Sequence, residues 1–229
     1  MSAGPYAFVF DPELARFQLA PDHPFKPVRY ELARTLLLAA GALDPAEVVA
    51  PAAIGDDDLR TVHDERYVAV VRAASAPATR PSDPELQRHG LATADNPVFD
   101  RMHELVRGVV AATVTAVDLV ATGRALRAAS LAGGLHHALR DRASGFCVYN
   151  DLAVAIRRAV DRHGLRVAYV DVDAHHGDGV QWLFYDEPRV LTVSLHESGR
   201  YLFPGTGFTY ETGNGRGRGA AVNLPLEPF

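Results

Sequence analysis

The densest run of chemistry-bearing side chains in the sequence is Asp171-Val172-Asp173-Ala174-His175-His176-Gly177-Asp178-Gly179, directly after the apolar stretch Arg166 to Val172. Side chains alternate along an extended chain, so Asp171, Asp173 and, where the extension continues, His175 are expected on one side. A carboxylate and an imidazole two residues apart suit a single zinc ion. Zinc accepts Asp oxygen and His nitrogen at about 2.0 Å, and a catalytic site takes three protein ligands and keeps a position for water. Asp173 and His175 are the candidate ligands, and Fe(II) tolerates a similar His and carboxylate set. A lone Asp-x-His is more often a loop cap than a metal site. Here, however, so many ionisable groups beside a buried strand would carry a large desolvation cost without a metal or mutual pairing.

A second cluster, Gly133-Gly134-Leu135-His136-His137, follows another apolar run, Ala125 to Leu131. The glycines allow close backbone approach or unusual dihedrals. Metal-assisted amide hydrolysis needs a base for the attacking water and an acid for the leaving amine, and imidazole serves both near neutral pH. Each imidazole works better when a carboxylate fixes its tautomer, and Asp171 and Asp178 are the spare carboxylates. Standing alone, His136-His137 would equally suit two core histidines bonded to backbone. Cys147 has no neighbouring base and reads as a small buried hydrophobe rather than a nucleophile.

These residues need elements to carry them. Leu32, Leu36 and Leu37 recur at helical spacing between Pro27 and Gly41, with Gly41 placed as a C-terminal cap. A second short helix is expected over Asp64 to Ala73, an irregular loop over Ala76 to Asp100, and a long helix over Met102 to Thr122 ended by Gly123. Apolar runs at Ala125 to Leu131, Arg166 to Val172 and Val190 to Leu195 predict strands, and Val222 to Leu226 opens another. Between the first two lies a helix, Asp151 to His163, with Asn150 as N-cap and Gly164 beyond its end. Alternating strands and helices predict an α/β fold with a parallel sheet, and the apolar Val167 to Val172 suits a strand covered on both faces. Both clusters should then converge at the C-terminal edge of one sheet, the place where open α/β sheets bind ligands.

The 229 residues are 48% hydrophobic and 22% charged, enough to bury a sizeable core. The net charge of -5 gives no general attraction to phosphate backbones or anionic lipid, so nucleic acid and membranes are not expected as partners. One cysteine fits a reducing, cytoplasmic setting, and no run approaches the roughly 18 apolar residues of a membrane span. The glycine-rich stretch Gly213 to Gly219 lacks the Lys-Ser/Thr of a phosphate loop and reads as a solvated loop.

In order and spacing, Gly133 to Ala138, Ser144-Gly145-Phe146-Cys147, Asn150-Asp151, Asp171 to Gly179, and Ser194-Leu195-His196 through Phe203-Pro204-Gly205-Thr206-Gly207 resemble the histone deacetylase superfamily. Phe10 to Glu13, Pro21 to Pro27 and Asp95 to Phe99 resemble its bacterial acetoin-utilisation branch. The resemblance implies a three-layer arginase/deacetylase-like α/β fold, with a central parallel sheet and helices on both faces. The implied activity is a zinc-dependent amidohydrolase that removes acetyl groups from acetyl-lysine in proteins or from a similar acetylated amine.

The resemblance also implies roles. Asp173 and His175 match zinc ligands, and His136 and His137 match tandem catalytic histidines paired with Asp171 and Asp178 respectively. Gly145, Phe146 and Phe203 match walls of a tunnel for acetyl-lysine, Asp95 a rim residue that holds substrate backbone, and Arg29 a residue of an internal cavity for acetate. Ser194 and Leu195 resemble part of a monovalent-cation site, for K+. The family's third zinc ligand and its transition-state tyrosine have no counterpart before Phe229. Residues 1–229 therefore read as the N-terminal portion of a single domain, expected to bind zinc weakly and to leave Val190 to Leu195 or its neighbour as an open sheet edge. Three competing readings stay open: an acetylpolyamine amidohydrolase, an arginase-type manganese enzyme, which the tandem histidines and Gly145-Phe146 disfavour, and an inactive acetyl-lysine-binding module.

Overall fold

Six strands, all paired in parallel, carry the architecture of this computed structural model, which describes residues 4–16 and 18–228. They are β1 (Gly4–Val9), β2 (Val48–Val49), β3 (Ala125–Ala129), β4 (Val167–Asp171), β5 (Val190–Glu197) and β6 (Ala221–Leu226). Hydrogen bonds group them into two three-stranded sheets, ordered β2-β1-β3 and β4-β5-β6. The helices are α1 (Val28–Ala39), α2 (Asp56–Arg60), α3 (Glu65–Ala74), α4 (Asp83–Arg88), α5 (Met102–Ala121), α6 (Asp151–Asp161) and α7 (Asp178–Leu183). The chain divides into two compact units, Met1–Ala155 and Ile156–Phe229.

In the first unit, β1 pairs with β3 from Gly4 opposite Ala125 to Phe8 opposite Ala129, and with β2 at Phe8 and Val9. Helix α5 packs on β1 and β3 and buries Met102, Leu105, Val106, Val109 and Val110 along one face. Each such side chain contributes about 1.5–3 kcal/mol of apolar burial. The expected helices are present, and two of them end as their glycines suggested. After α1, the Gly41 and Ala42 amides bond back to Leu38 and Leu37, and after α5 the Gly123 and Arg124 amides bond to Val120 and Leu119. This double closure needs a left-handed residue, and Gly41 and Gly123 have φ of +66° and +71°.

In the second unit, β5 is central, with β4 on one side from Val167 opposite Val190 and β6 on the other from Thr192 opposite Ala221. The edges of this sheet are β4 and β6, so the neighbour and not Val190 to Leu195 is the edge strand. Strand β4 is not covered on both faces, contrary to what its apolar sequence suggests. Val170 is 59% exposed and Asp171 only 6%, so one face packs inward and the other is open. The expected loop over Ala76 to Asp100 contains α4, where Pro84 sits in the first turn, acids flank it and Leu86 is buried. Gly213 to Gly219 forms a largely exposed turn around one short 3-10 helix, as expected of a solvated loop.

Candidate active site

In the first unit the Gly133 to His137 loop leaves the C-terminal end of β3, and it is held from behind by the start of α6. The Asp151 carboxylate accepts hydrogen bonds from Leu135 N (2.7 Å), Gly134 N (3.1 Å) and the Thr113 hydroxyl (2.6 Å). Asp151 is fully buried, and burial pushes its carboxyl above the usual range against the opposing pull of those three donors. Gly133 cannot carry a side chain here, because a Cβ would strike Asp151 and Thr113. Asn150 caps α6 through Oδ1, which accepts from Ala153 N at 2.9 Å, and turns Nδ2 to the carbonyls of His136 (3.2 Å) and Ala138 (3.0 Å). The imidazoles of His136 and His137 lie 4.0 Å apart between centroids, tilted by 50°.

Ser144 to Cys147 is a tight turn closed by two backbone hydrogen bonds, Ser144 N to Cys147 O (3.0 Å) and Cys147 N to Ser144 O (2.8 Å). Gly145 and Phe146 occupy its central positions with φ of +50° and +72°, the signs of a type I′ turn. A phenylalanine at positive φ costs about 1–3 kcal/mol, a kind of strain that clusters at functional sites. The Phe146 ring meets His23 edge-on at 4.7 Å. His23 Nδ1 accepts from Phe25 N, so its Nε2–H donates to the Asp95 carbonyl at 3.1 Å. One imidazole thus brings the Asp95 loop and the Gly145-Phe146 turn together, with the Asp95 residue itself exposed. Arg29 is exposed, its guanidinium 4.8 Å above the Phe25 ring. It does not line the small apolar cavity formed by Phe25, Phe99, Leu135 and Phe146. Cys147 is buried and its thiol donates to Gly145 O.

In the second unit the alternation expected beyond Asp171 stops at that residue. Asp171 Oδ1 accepts from Asp173 N (3.0 Å) and Tyr169 donates its hydroxyl to Oδ2. Asp173 Oδ1 then accepts from His175 N at 2.8 Å, which bends the chain into a turn. Asp171 is consequently buried while the side chains of Asp173 and His175 are 53% and 41% exposed. The bend brings His175 Nδ1 to 2.9 Å from Asp173 Oδ1. Two zinc bonds of about 2.0 Å at a tetrahedral angle would hold their ligand atoms about 3.3 Å apart, so this pair fits two adjacent corners of such a site. Among the described residues, no group of three or more His, Cys, Asp or Glu side chains is arranged to hold a metal ion.

Around that turn lies a polar network that sequence reasoning did not assign. His176 Nε2–H donates to Gln181 Oε1 (3.1 Å) and Nδ1 accepts from the Thr206 hydroxyl (2.8 Å). Gln181 Nε2 donates to Glu211 Oε2, which also accepts from Gly207 N. His196 Nε2–H donates to the Gly207 carbonyl at 3.0 Å and its Nδ1 accepts from the Ser194 hydroxyl at 2.8 Å. Gly207, at φ +86°, is wedged between the two imidazoles, and a Cβ would meet His196 Nε2 and lie 2.6 Å from His176 Cγ. Burial lowers the His176 pKa, the bond to Gln181 opposing it. The network pins the loop that carries Phe203, whose ring lies 6.2 Å from that of His175.

The histone deacetylase domain family matches residues 23–229. The acetoin utilization protein AcuC of Bacillus subtilis strain 168 is 46% identical over 222 residues, covering 97% of this chain and 57% of that protein. AcuC of Staphylococcus aureus strain MRSA252 is 41% identical over 223 residues, with the same coverage. Among solved structures, an HDAC homologue from Aquifex aeolicus superposes with a TM-score of 0.84 at 30% identity, covering 98% of this chain and 60% of that one. An HDAC homologue complexed with SAHA gives 0.82 at 30% identity, covering 97% and 59%. The chain therefore spans 57% of the length of the curated relatives it matches. With the domain match covering nearly the whole chain, and with its α/β architecture of parallel strands shared by these structures, the chain belongs to the histone deacetylase domain family.

Proposed function

We propose that the protein is a zinc-dependent deacetylase that hydrolyses the acetyl amide of acetyl-lysine in proteins, Asp173 and His175 being two of the metal ligands. The observation that supports this most directly is the approach of His175 Nδ1 to Asp173 Oδ1, 2.9 Å apart on an exposed turn at the C-terminal end of β4. When bound, zinc supplies Lewis-acid polarisation of the amide carbonyl and lowers the pKa of a coordinated water. His136 and His137 hold and move the protons, one taking a proton from water at a ring nitrogen, the other delivering one to the leaving amine. Asp171 and Asp178 are their carboxylate partners by family resemblance, and the same resemblance makes Gly145, Phe146, Phe203 and Asp95 substrate contacts, Arg29 an acetate-cavity residue, and Ser194 and Leu195 ligands for K+. The single cysteine of the sequence, the buried Cys147, supports a cytoplasmic setting.

The test is acetate release from an acetyl-lysine peptide by the zinc-loaded protein at its native length, together with SAHA-induced stabilisation. The His137→Ala variant should lose kcat by about 10²-fold or more with zinc content unchanged, whereas Asp173→Ala should lose both. Equal zinc loss in the two variants would overturn the division between ligand and base, and peptide binding without acetate release would identify a binding module instead.

A further inference from the structure

His63 makes no part of the chemistry above, yet it is 1% exposed and uses both ring nitrogens. Nδ1 lies 2.9 Å from the Leu139 carbonyl and Nε2 lies 3.0 Å from the Asn150 amide nitrogen. A carbonyl only accepts and an amide N–H only donates, so the proton must sit on Nδ1 and Nε2 must be bare. A protonated ring would turn an N–H against the Asn150 N–H. Both partners are strategic. Leu139 ends the segment that begins at His136, and Asn150 is the residue that holds the His136 and Ala138 carbonyls. The next residue, Asp64, donates its amide to Arg140 O at 2.8 Å. The carbonyls of residues 136, 138, 139 and 140 are therefore all held by two short stretches, His63-Asp64 and Asn150.

We propose that His63 is a positioning residue for the tandem histidines, a neutral imidazole of fixed tautomer that locks the segment after His136-His137 to the first turn of α6. The proposal rests on the deacetylase reading only for what His136 and His137 do; the lock itself is a matter of this chain's geometry. Tyr67 and Tyr149 pack their rings at 5.6 Å and 5.3 Å from His63, which is itself buried. Asp64 and Arg140 are the charged groups that face it, and they pair with each other at 3.4 Å. Burial, the largest influence, lowers the His63 pKa to about 4, so the neutral form persists across the working range of an enzyme.

The experiment is 15N NMR of the imidazoles, with His63→Gln and His63→Phe compared with the unsubstituted protein. His63 should show a protonated Nδ1 and a bare Nε2, unchanged down to about pH 4. Gln places an amide oxygen close to the Nε2 position and should preserve the His136 and His137 ring signals. Phe fills the space with neither bond and should shift both. At native length, kcat in the Phe variant should fall about 10-fold or more with KM and zinc content unchanged, because small misplacements of catalytic groups are costly. An Nε2–H tautomer, or titration of His63 near the ordinary 6.5, would overturn the proposal. So would a folded Phe variant with unchanged His136 and His137 signals. Should that variant fail to fold, the tautomer and the Gln variant decide. Loss of the ring signals' register in a protein that never releases acetate would uphold the lock and refute the deacetylase reading.

Discussion

Replacing Asp151 with Asn tests how the tandem-histidine loop is held, and its cost can be worked out atom by atom. The Asn oxygen can keep the Leu135 N–H, bound at 2.7 Å, but an NH2 group then stands where Oδ2 accepted from Thr113 and Gly134. The Thr113 hydroxyl can rotate and accept from it; the Gly134 N–H cannot. One buried backbone donor is left without a partner, a loss of about 1–3 kcal/mol. At about 2 kcal/mol the melting temperature of a chain this size falls by about 4–8 °C. The pH dependence adds a signature. Burial raises the folded-state pKa of Asp151 above its unfolded value of about 3.9. The stability it contributes is thus fully present below about pH 4 and declines as pH rises through the raised value. Asn does not titrate, so the variant's deficit should be largest in mild acid and narrow toward neutrality. Urea unfolding followed by far-UV circular dichroism at pH 4.5 and pH 8 measures both. A deficit that widens with pH, or none at the acid end, would refute the reasoning.

Three further outcomes are expected. Gly207→Ala forces a Cβ into His196 and His176 at positive φ, and should destabilise by about 2 kcal/mol or more; a calorimetric melting temperature within a degree of the unsubstituted protein would contradict this. Phe146→Gly removes the ring that packs on His23, so KM for an acetyl-lysine peptide should increase while relief of the positive-φ strain offsets part of the lost packing; an unchanged KM would remove Phe146 from the substrate wall. Tyr169→Phe deletes the hydroxyl donated to Asp171 and should weaken zinc about 10-fold in chelator competition, a result that equal affinity would exclude.

Where local chemistry decides the conformation, the sequence already showed it. Gly41 and Gly123 mark helix ends because only left-handed residues close those turns, and Asn150 reads as an N-cap because its side chain reaches a nearby amide. Strand β1 was not visible: Gly4–Val9 contains Pro5 and no alternation, and its pairing partners Val48 and Ala125 lie far along the chain. Asp151 was noticed only as part of a motif, since an acid in the first turn of a helix is ordinary. Nothing local shows that Thr113, 38 residues earlier, donates to it. The alternation past Asp171 failed for the converse reason. A short side chain competed with extended backbone, Asp173 capturing the His175 amide and so turning two candidate ligands toward each other.

The turn from Ser144 to Cys147 closes on itself through its own backbone, which makes it a separable cassette. A type I′ turn favours Asn-Gly or Asp-Gly at its two central positions, so such pairs suit the backbone that Gly145 and Phe146 adopt. The histidine loop is anchored separately by Asp151 and Asn150, but its Leu135 shares an apolar cavity with Phe146, so a change of side chain at 146 is felt there while the backbone anchors stay in place. On the proposed deacetylase reading, in which Gly145 and Phe146 wall the substrate tunnel, a library confined to positions 145 and 146 is an economical place to search for variants that accept acyl groups bulkier than acetyl.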